Sequence, residues 1–150
     1  TDFPVYQVHK ISNLSVDTTK KFASKKNIKI ESAYVKATMG SIRNSAAYMS
    51  ISSTIPDRLI QAMTPQARAA ELHTVLDNDQ NIMRMRRVKA IEILPGKITR
   101  LKPGAYHIMI IDLFAPLKDG TTIPLILIFE KAGEIMLRIP VHQSSSSMSH

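Results

Sequence analysis

Residues 28–141 predict an antiparallel β-sandwich or barrel. Two observations carry this: seven to nine short, β-branched segments with alternating polarity, and turn residues recurring roughly every 8–12 positions between them. The first segment, 28–38, closes at Met39-Gly40; 45–53 and 57–63 follow, parted by Pro56-Asp57. Segment 67–76 runs into Asp77-Asn78-Asp79, and 81–94, long enough for two strands, ends at Pro95-Gly96. Segment 97–102 stops at Pro103-Gly104, which launches 105–113. Asp119-Gly120 precedes 122–130, and Gly133 parts it from 134–141. Within 122–130, the run Ile123-Pro124-Leu125-Ile126-Leu127-Ile128-Phe129 is apolar on both faces, as in a central strand covered on two sides. Residues 1–27 form a polar, lysine-rich appendage, with room for a short helix over roughly 16–24. The end, 142–150, is serine-rich and expected to be flexible.

A chain of 150 residues suits one domain with a real core. Its apolar runs, Ile108–Ile111 among them, are far too short to span a bilayer, so stable membrane insertion is not expected. Thr1-Asp2-Phe3-Pro4 has no basic or apolar signal region; an exported protein would be read here from after its cleavage point. Cysteine is absent, which excludes disulfides, thiolate zinc sites, iron–sulfur clusters, cysteine nucleophiles and blue-copper electron transfer. Methionine occurs 8 times, so soft donors are thioethers and not thiols.

The net charge of +8 gathers in two places. Lys20, Lys21, Lys25, Lys26 and Lys29 lie near the start, while Arg84, Arg86, Arg87, Lys89, Lys97, Arg100 and Lys102 are opposed by Glu92 alone. Such runs are either solvated faces or a docking surface for an acidic protein. Aromatic residues do not interleave with them, so stacking on nucleic acid is unsupported.

The informative stretch is Pro103-Gly104-Ala105-Tyr106-His107-Ile108-Met109. Residues two apart on a strand share a face, so His107 and Met109 can converge on one ion. Asn81-Ile82-Met83-Arg84-Met85 places two thioethers on one face in the same way, and His73 lies near the end of another strand. Imidazoles with thioethers are neutral, soft donors that favour copper(I); zinc, calcium and magnesium prefer other sets. By spacing alone, core packing of methionine and a simply hydrogen-bonded histidine remain the alternative.

The order His73, eleven intervening residues, Met85, twenty-one, His107, one, Met109 resembles the signature of the PCu(A)C-type periplasmic copper(I) chaperones. Flanking text agrees over about Ile28 to Val141: Ser45-Ala46-Ala47-Tyr48-Met49, Pro56-Asp57-Arg58-Leu59, Glu71-Leu72-His73, Met83-Arg84-Met85-Arg86, Lys102-Pro103-Gly104, Leu117-Lys118-Asp119-Gly120 and Phe129-Glu130-Lys131-Ala132-Gly133. The resemblance implies a cupredoxin-like (Ig-like, Greek-key) β-sandwich with a solvent-accessible site at one end. It implies copper(I) held by His73, Met85, His107 and Met109. It also implies a periplasmic location and delivery to a copper-accepting protein, such as cytochrome c oxidase subunit II or another copper chaperone. Two positions depart from the pattern: Thr74 stands where methionine is frequent, and Tyr34 where tryptophan is common. Met83 reads equally as a substitute donor for the first or as a core-packing side chain. His142, Met148 and His150 read as plain tail or as a copper-collecting extension. His9 reads as a surface histidine, and Met39, Met49, Met63 and Met136 as core or edge residues.

Three function classes follow: a metallochaperone, a metal-free Ig-like interaction module, and an enzyme. No Gly-rich phosphate loop, nucleophile elbow or carboxylate pair supports the third, since Asp77 and Asp79 belong to a turn.

Overall fold

The computed structural model describes residues 23–25, 27–77 and 83–143. The chain order is β1 (Ala23–Lys25), β2 (Ile28–Lys36), β3 (Ser45–Ser53), β4 (Asp57–Met63), β5 (Ala67–Asp77) and β6 (Met83–Arg87). It continues with β7 (Ile91–Ile93), β8 (Thr99–Leu101), β9 (His107–Leu113), β10 (Thr122–Phe129) and β11 (Gly133–His142). Hydrogen-bonded neighbours run β6-β5-β9-β3-β2-β11-β10-β4-β7, with β1 added to β2 and β8 to β3. β11 joins the layers: it pairs antiparallel with β10 along its length and parallel with β2 at Val141 and His142. The architecture is the cupredoxin-like sandwich that the sequence led us to expect. Among the described residues, no helix is long and apolar enough to cross a membrane.

Both layers send alternate side chains into one core. Ile30, Ala47, Ile51, Leu72, Ile108 and Ile110 come from the first, and Leu59, Ile93, Leu125, Leu127 and Phe129 from the second. The doubly apolar β10 is flanked by β11 and β4. Leu125 and Leu127 enter the main core, while Ile126 packs on Met136, with Met63 and Ile128, on the other face.

A bulge in β2 decides which residues face the site. The β2–β3 register shifts between Glu31 and Tyr34, where Ser32 adopts a left-handed φ of 57°. Before it Ile28 and Ile30 are buried; after it Ala33 and Val35 are. Strict alternation from Ile30 would have sent Tyr34 inward. The extra residue turns it onto the outer face, opposite Tyr48.

Segment 81–94 divides because its halves belong to different layers: β6 pairs with β5, and β7 with β4. Segment 97–102 shortens to β8. Lys102 N–H donates to the Tyr106 carbonyl and Ala105 N–H to that of Lys102, closing the Pro-Gly turn ahead of β9. Of the expected helix over 16–24, Ala23 and Ser24 belong to β1, and the rest falls outside the described residues. Met39 is 75% exposed in the turn after β2, so it is neither core nor edge, whereas Met49 and Met136 are buried as expected.

Candidate metal centre

The strands' two-residue period puts the four sequence-selected residues on one surface. On β5, Leu72 faces the core, so Glu71, His73 and Val75 face away from it. On β9, Ile108 and Ile110 are buried in the core, which turns His107 and Met109 to the same outer side. Register completes the alignment. His73 lies opposite His107 and Glu71 opposite Met109, while across β6 Arg87 lies opposite His73 and Met85 opposite Val75.

The His73 and His107 rings stand with centroids 5.6 Å apart. Beyond His107, Tyr48 on β3 follows at 6.3 Å, Tyr34 on β2 at 5.3 Å from Tyr48, and His142 on β11 at 5.8 Å from Tyr34. Five rings thus cross five adjacent strands in one row. Met85, His107 and Met109 line an open basin of about 630 Å³, together with Tyr48, Ile42 and Pro103. His73 does not itself line the basin; it stands next to His107, ring to ring.

The four candidates differ in exposure. His107 is 4% exposed and the His73 side chain 15%, whereas Met85 is 57% exposed on the edge strand. His107 donates through Nδ1 to the Ala105 carbonyl at 3.1 Å, because a carbonyl can only accept. That leaves the Nε2 lone pair free in the neutral ring. Burial lowers the His107 pKa from its ordinary 6.5, and the neighbouring His73 pushes the same way, against the opposing effect of the Ala105 bond. The ring is therefore neutral at pH 7, as a metal ligand must be. His73 pairs through Nε2 with Glu71 Oε1 at 3.0 Å, and its Nδ1 is buried with no hydrogen-bond partner.

Thr74 carries no donor sulfur. The side chain of Met83, together with His9, Met148 and His150, lies outside the described residues. The basic stretch from Arg84 to Lys102 is not one face. Arg84 lines the basin and Arg87 lies opposite His73 on β6, but β7 belongs to the other layer, where Glu92 pairs with Arg58 at 2.8 Å. The basin's own basic residues are Arg84 and, from a distant part of the sequence, Lys36. Sequence reasoning gave no role to Tyr48 or Glu71, although Glu71, two residues before His73, was identifiable as its same-face neighbour.

A cupredoxin-like sandwich carrying two histidines and two methionines on one sheet surface defines a PCu(A)C-type domain. The chain belongs to the family described as "Putative lipoprotein LpqE-like", whose model matches residues 28–141. Among solved structures, the copper-bound PCuAC domain from PmoF2 is 26% identical with a TM-score of 0.69, over 82% of this chain and 98% of that one. The solution structure of apo-DR1885 from Deinococcus radiodurans is 28% identical with a TM-score of 0.62, over 83% and 85%. The apo PCuAC domain from PmoF1, at 21% identity, a TM-score of 0.72 and coverage of 82% and 99%, shares the fold. No curated protein matches the chain by sequence.

Proposed function

We propose that this chain is an exported copper(I) metallochaperone. It binds one ion through His73, Met85, His107 and Met109 and passes it to an acceptor. The observation that carries this reading is the register that sets His73 against His107, with Met109 and Met85 on the same surface. A metal about 2.0 Å from an imidazole nitrogen lies about 3 Å from the ring centre, so two rings sharing one ion stand roughly 5–6 Å apart. The 5.6 Å separation fits. Two nitrogens and two thioethers suit a soft monovalent cation and disfavour hard ones. Family membership and the 26% identity to a copper-bound domain support copper as the cargo.

The residues divide the work. His107, dry and neutral, forms the fixed wall of the site. Met85, exposed beside the open basin, offers a side from which an incoming ligand can replace it. No bond in the protein or in a substrate is made or broken, so the activity is binding and release, not catalysis. The acceptor is a copper protein with an acidic face, met by Lys36 and Arg84 at the basin and by Arg87 opposite His73. Cytochrome c oxidase subunit II, with its dinuclear copper centre, is the leading candidate, and another copper chaperone is the second. The lipoprotein description of the family supports export, and we place the protein in the periplasm.

An anaerobic competition titration against a chromophoric copper(I) chelator tests the reading. One equivalent should bind, and the double variant His107→Ala/Met109→Ala should bind none. X-ray absorption on the loaded protein should report copper(I) with nitrogen and sulfur in equal number. A metal-free Ig-like module would take up no copper, and that result would end the proposal.

A further inference from the structure

We propose that Glu71 positions His73 for the cargo, fixing the imidazole so that Nδ1, and not Nε2, is the atom that meets the ion. The inference rests on the copper reading above and adds a residue and an atom to it. Glu71 and His73 are two apart on β5 and therefore share a face. Glu71 Oε1 lies 3.0 Å from His73 Nε2. An ionised carboxylate only accepts, so the ring proton sits on Nε2 and the lone pair of the neutral ring sits on Nδ1. That Nδ1 is buried and without a hydrogen-bond partner. A buried acceptor left unmade is costly, and a metal ion supplies the missing partner.

Two further contacts fix the arrangement. Arg87, opposite His73 on β6, approaches the other carboxylate oxygen, Glu71 Oε2, at 3.6 Å. This holds the carboxylate from the side away from Met109. His107, in turn, is held through Nδ1 by the Ala105 carbonyl. The two rings are thus fastened by opposite atoms: His73 by Nε2 and His107 by Nδ1. Each fastening leaves the other nitrogen for the ion, so the site is asymmetric, with one δ-bound and one ε-bound imidazole. Fastening a ligating histidine through its second nitrogen is a general way of setting its tautomer and raising its basicity. Here it also brings a negative charge next to a monovalent ion whose direct donors are all neutral.

The experiment reads ring tautomers by long-range proton–nitrogen NMR on the wild-type chain, first without metal and then with one equivalent of copper(I) under anaerobic conditions. His73 should carry its proton on Nε2 in both states. His107 should carry it on Nδ1 in both. Glu71→Ala should mix the His73 tautomers and weaken copper(I) binding by about 10- to 100-fold, the usual effect of losing such a partner. Glu71→Gln, which keeps an acceptor oxygen of the same reach, should restore the tautomer and part of the affinity. A loaded wild-type protein that binds copper(I) with its His73 proton on Nδ1 overturns the inference and leaves the chaperone reading standing. So does a folded Glu71→Ala protein with unchanged affinity and tautomer. A wild-type chain that takes up no copper(I) overturns the chaperone reading itself, and this inference with it.

Discussion

His73 and His107 face one another across the β5–β9 ladder, one from the middle of a long inner strand and the other from the first residue of its neighbour. The pair is 34 residues apart in sequence (107 − 73) and directly opposed in space. Neither ring alone is distinctive. Opposed on one surface with a thioether on each side, they make a site whose properties can be measured one residue at a time.

The first measurement concerns protons. Burial lowers the His107 pKa in the fold, while in the unfolded chain it titrates near its ordinary 6.5. Between the folded value and 6.5 the unfolded chain binds more protons than the native one. Stability from this group is therefore intact above about 6.5 and falls as pH drops below it. Urea midpoints of the metal-free protein at several pH values should decline on the acid side. In His107→Gln that decline should be shallower, and equal slopes would count against a dry His107.

The second concerns the unequal exposure of the donors. Met85→Leu keeps the bulk of an exposed residue and removes one sulfur, so copper(I) affinity should fall by roughly tenfold, equivalent to about 1.4 kcal/mol. His107→Ala removes a buried ligand and should cost more than the roughly 100-fold upper figure for outer-sphere changes. Competition titrations of both variants decide the ranking. The reverse order would mean that the ion sits nearer the edge strand than the two rings imply.

Much of this was legible in advance, and what was missed has a common cause. The strands near 45–53, 57–63 and 67–76 fall where alternation and turn residues place them. The four site residues meet on one surface because two-residue periodicity needs no knowledge of pairing. What period alone cannot supply is register. The opposition of His73 and His107, of Glu71 and Met109, and of Tyr48 and Tyr34 depends on which strands pair and where a bulge intervenes. Ser32 gives no turn signal, yet its left-handed backbone decides the face on which Tyr34 lies. The basic stretch from Arg84 to Lys102 misled in a similar way, since adjacency in sequence crosses from one layer to the other between β6 and β7.

Transfer should depend on salt, and binding should not. Lys36 and Arg84 at the basin, with Arg87 opposite His73, steer an acidic partner through long-range attraction that ions screen within about 8–10 Å. Stopped-flow transfer to an acidic acceptor domain should slow between low and moderate ionic strength, while the affinity for copper(I) stays constant. Transfer insensitive to salt would remove electrostatic docking from the account.

A last prediction separates folding from cargo. Asp57 is 4% exposed at the start of β4, and its carboxylate accepts from the backbone N–H groups of Arg58, Lys131 and Ala132 at 2.7, 2.8 and 3.0 Å. It ties β4 to the turn between β10 and β11, away from the proposed metal site. Asp57→Ala leaves these donors unpaired and should cost about 3 kcal/mol of stability. Denaturant midpoints should show that loss, and the folded fraction should still bind one equivalent of copper(I).

Among the described residues, β9 and β5 are each bonded to strands on both sides, whereas β6 is bonded to β5 on one side only. Of the four proposed donors, three thus sit on strands held from both sides, and Met85 sits on an edge strand held from one. One short ladder, Met83–Arg87 against His73–Asp77, fastens that edge, while both imidazoles sit on strands inside the sheet. An exchange of the thioether at Met85 would therefore ask only this outermost strand to yield.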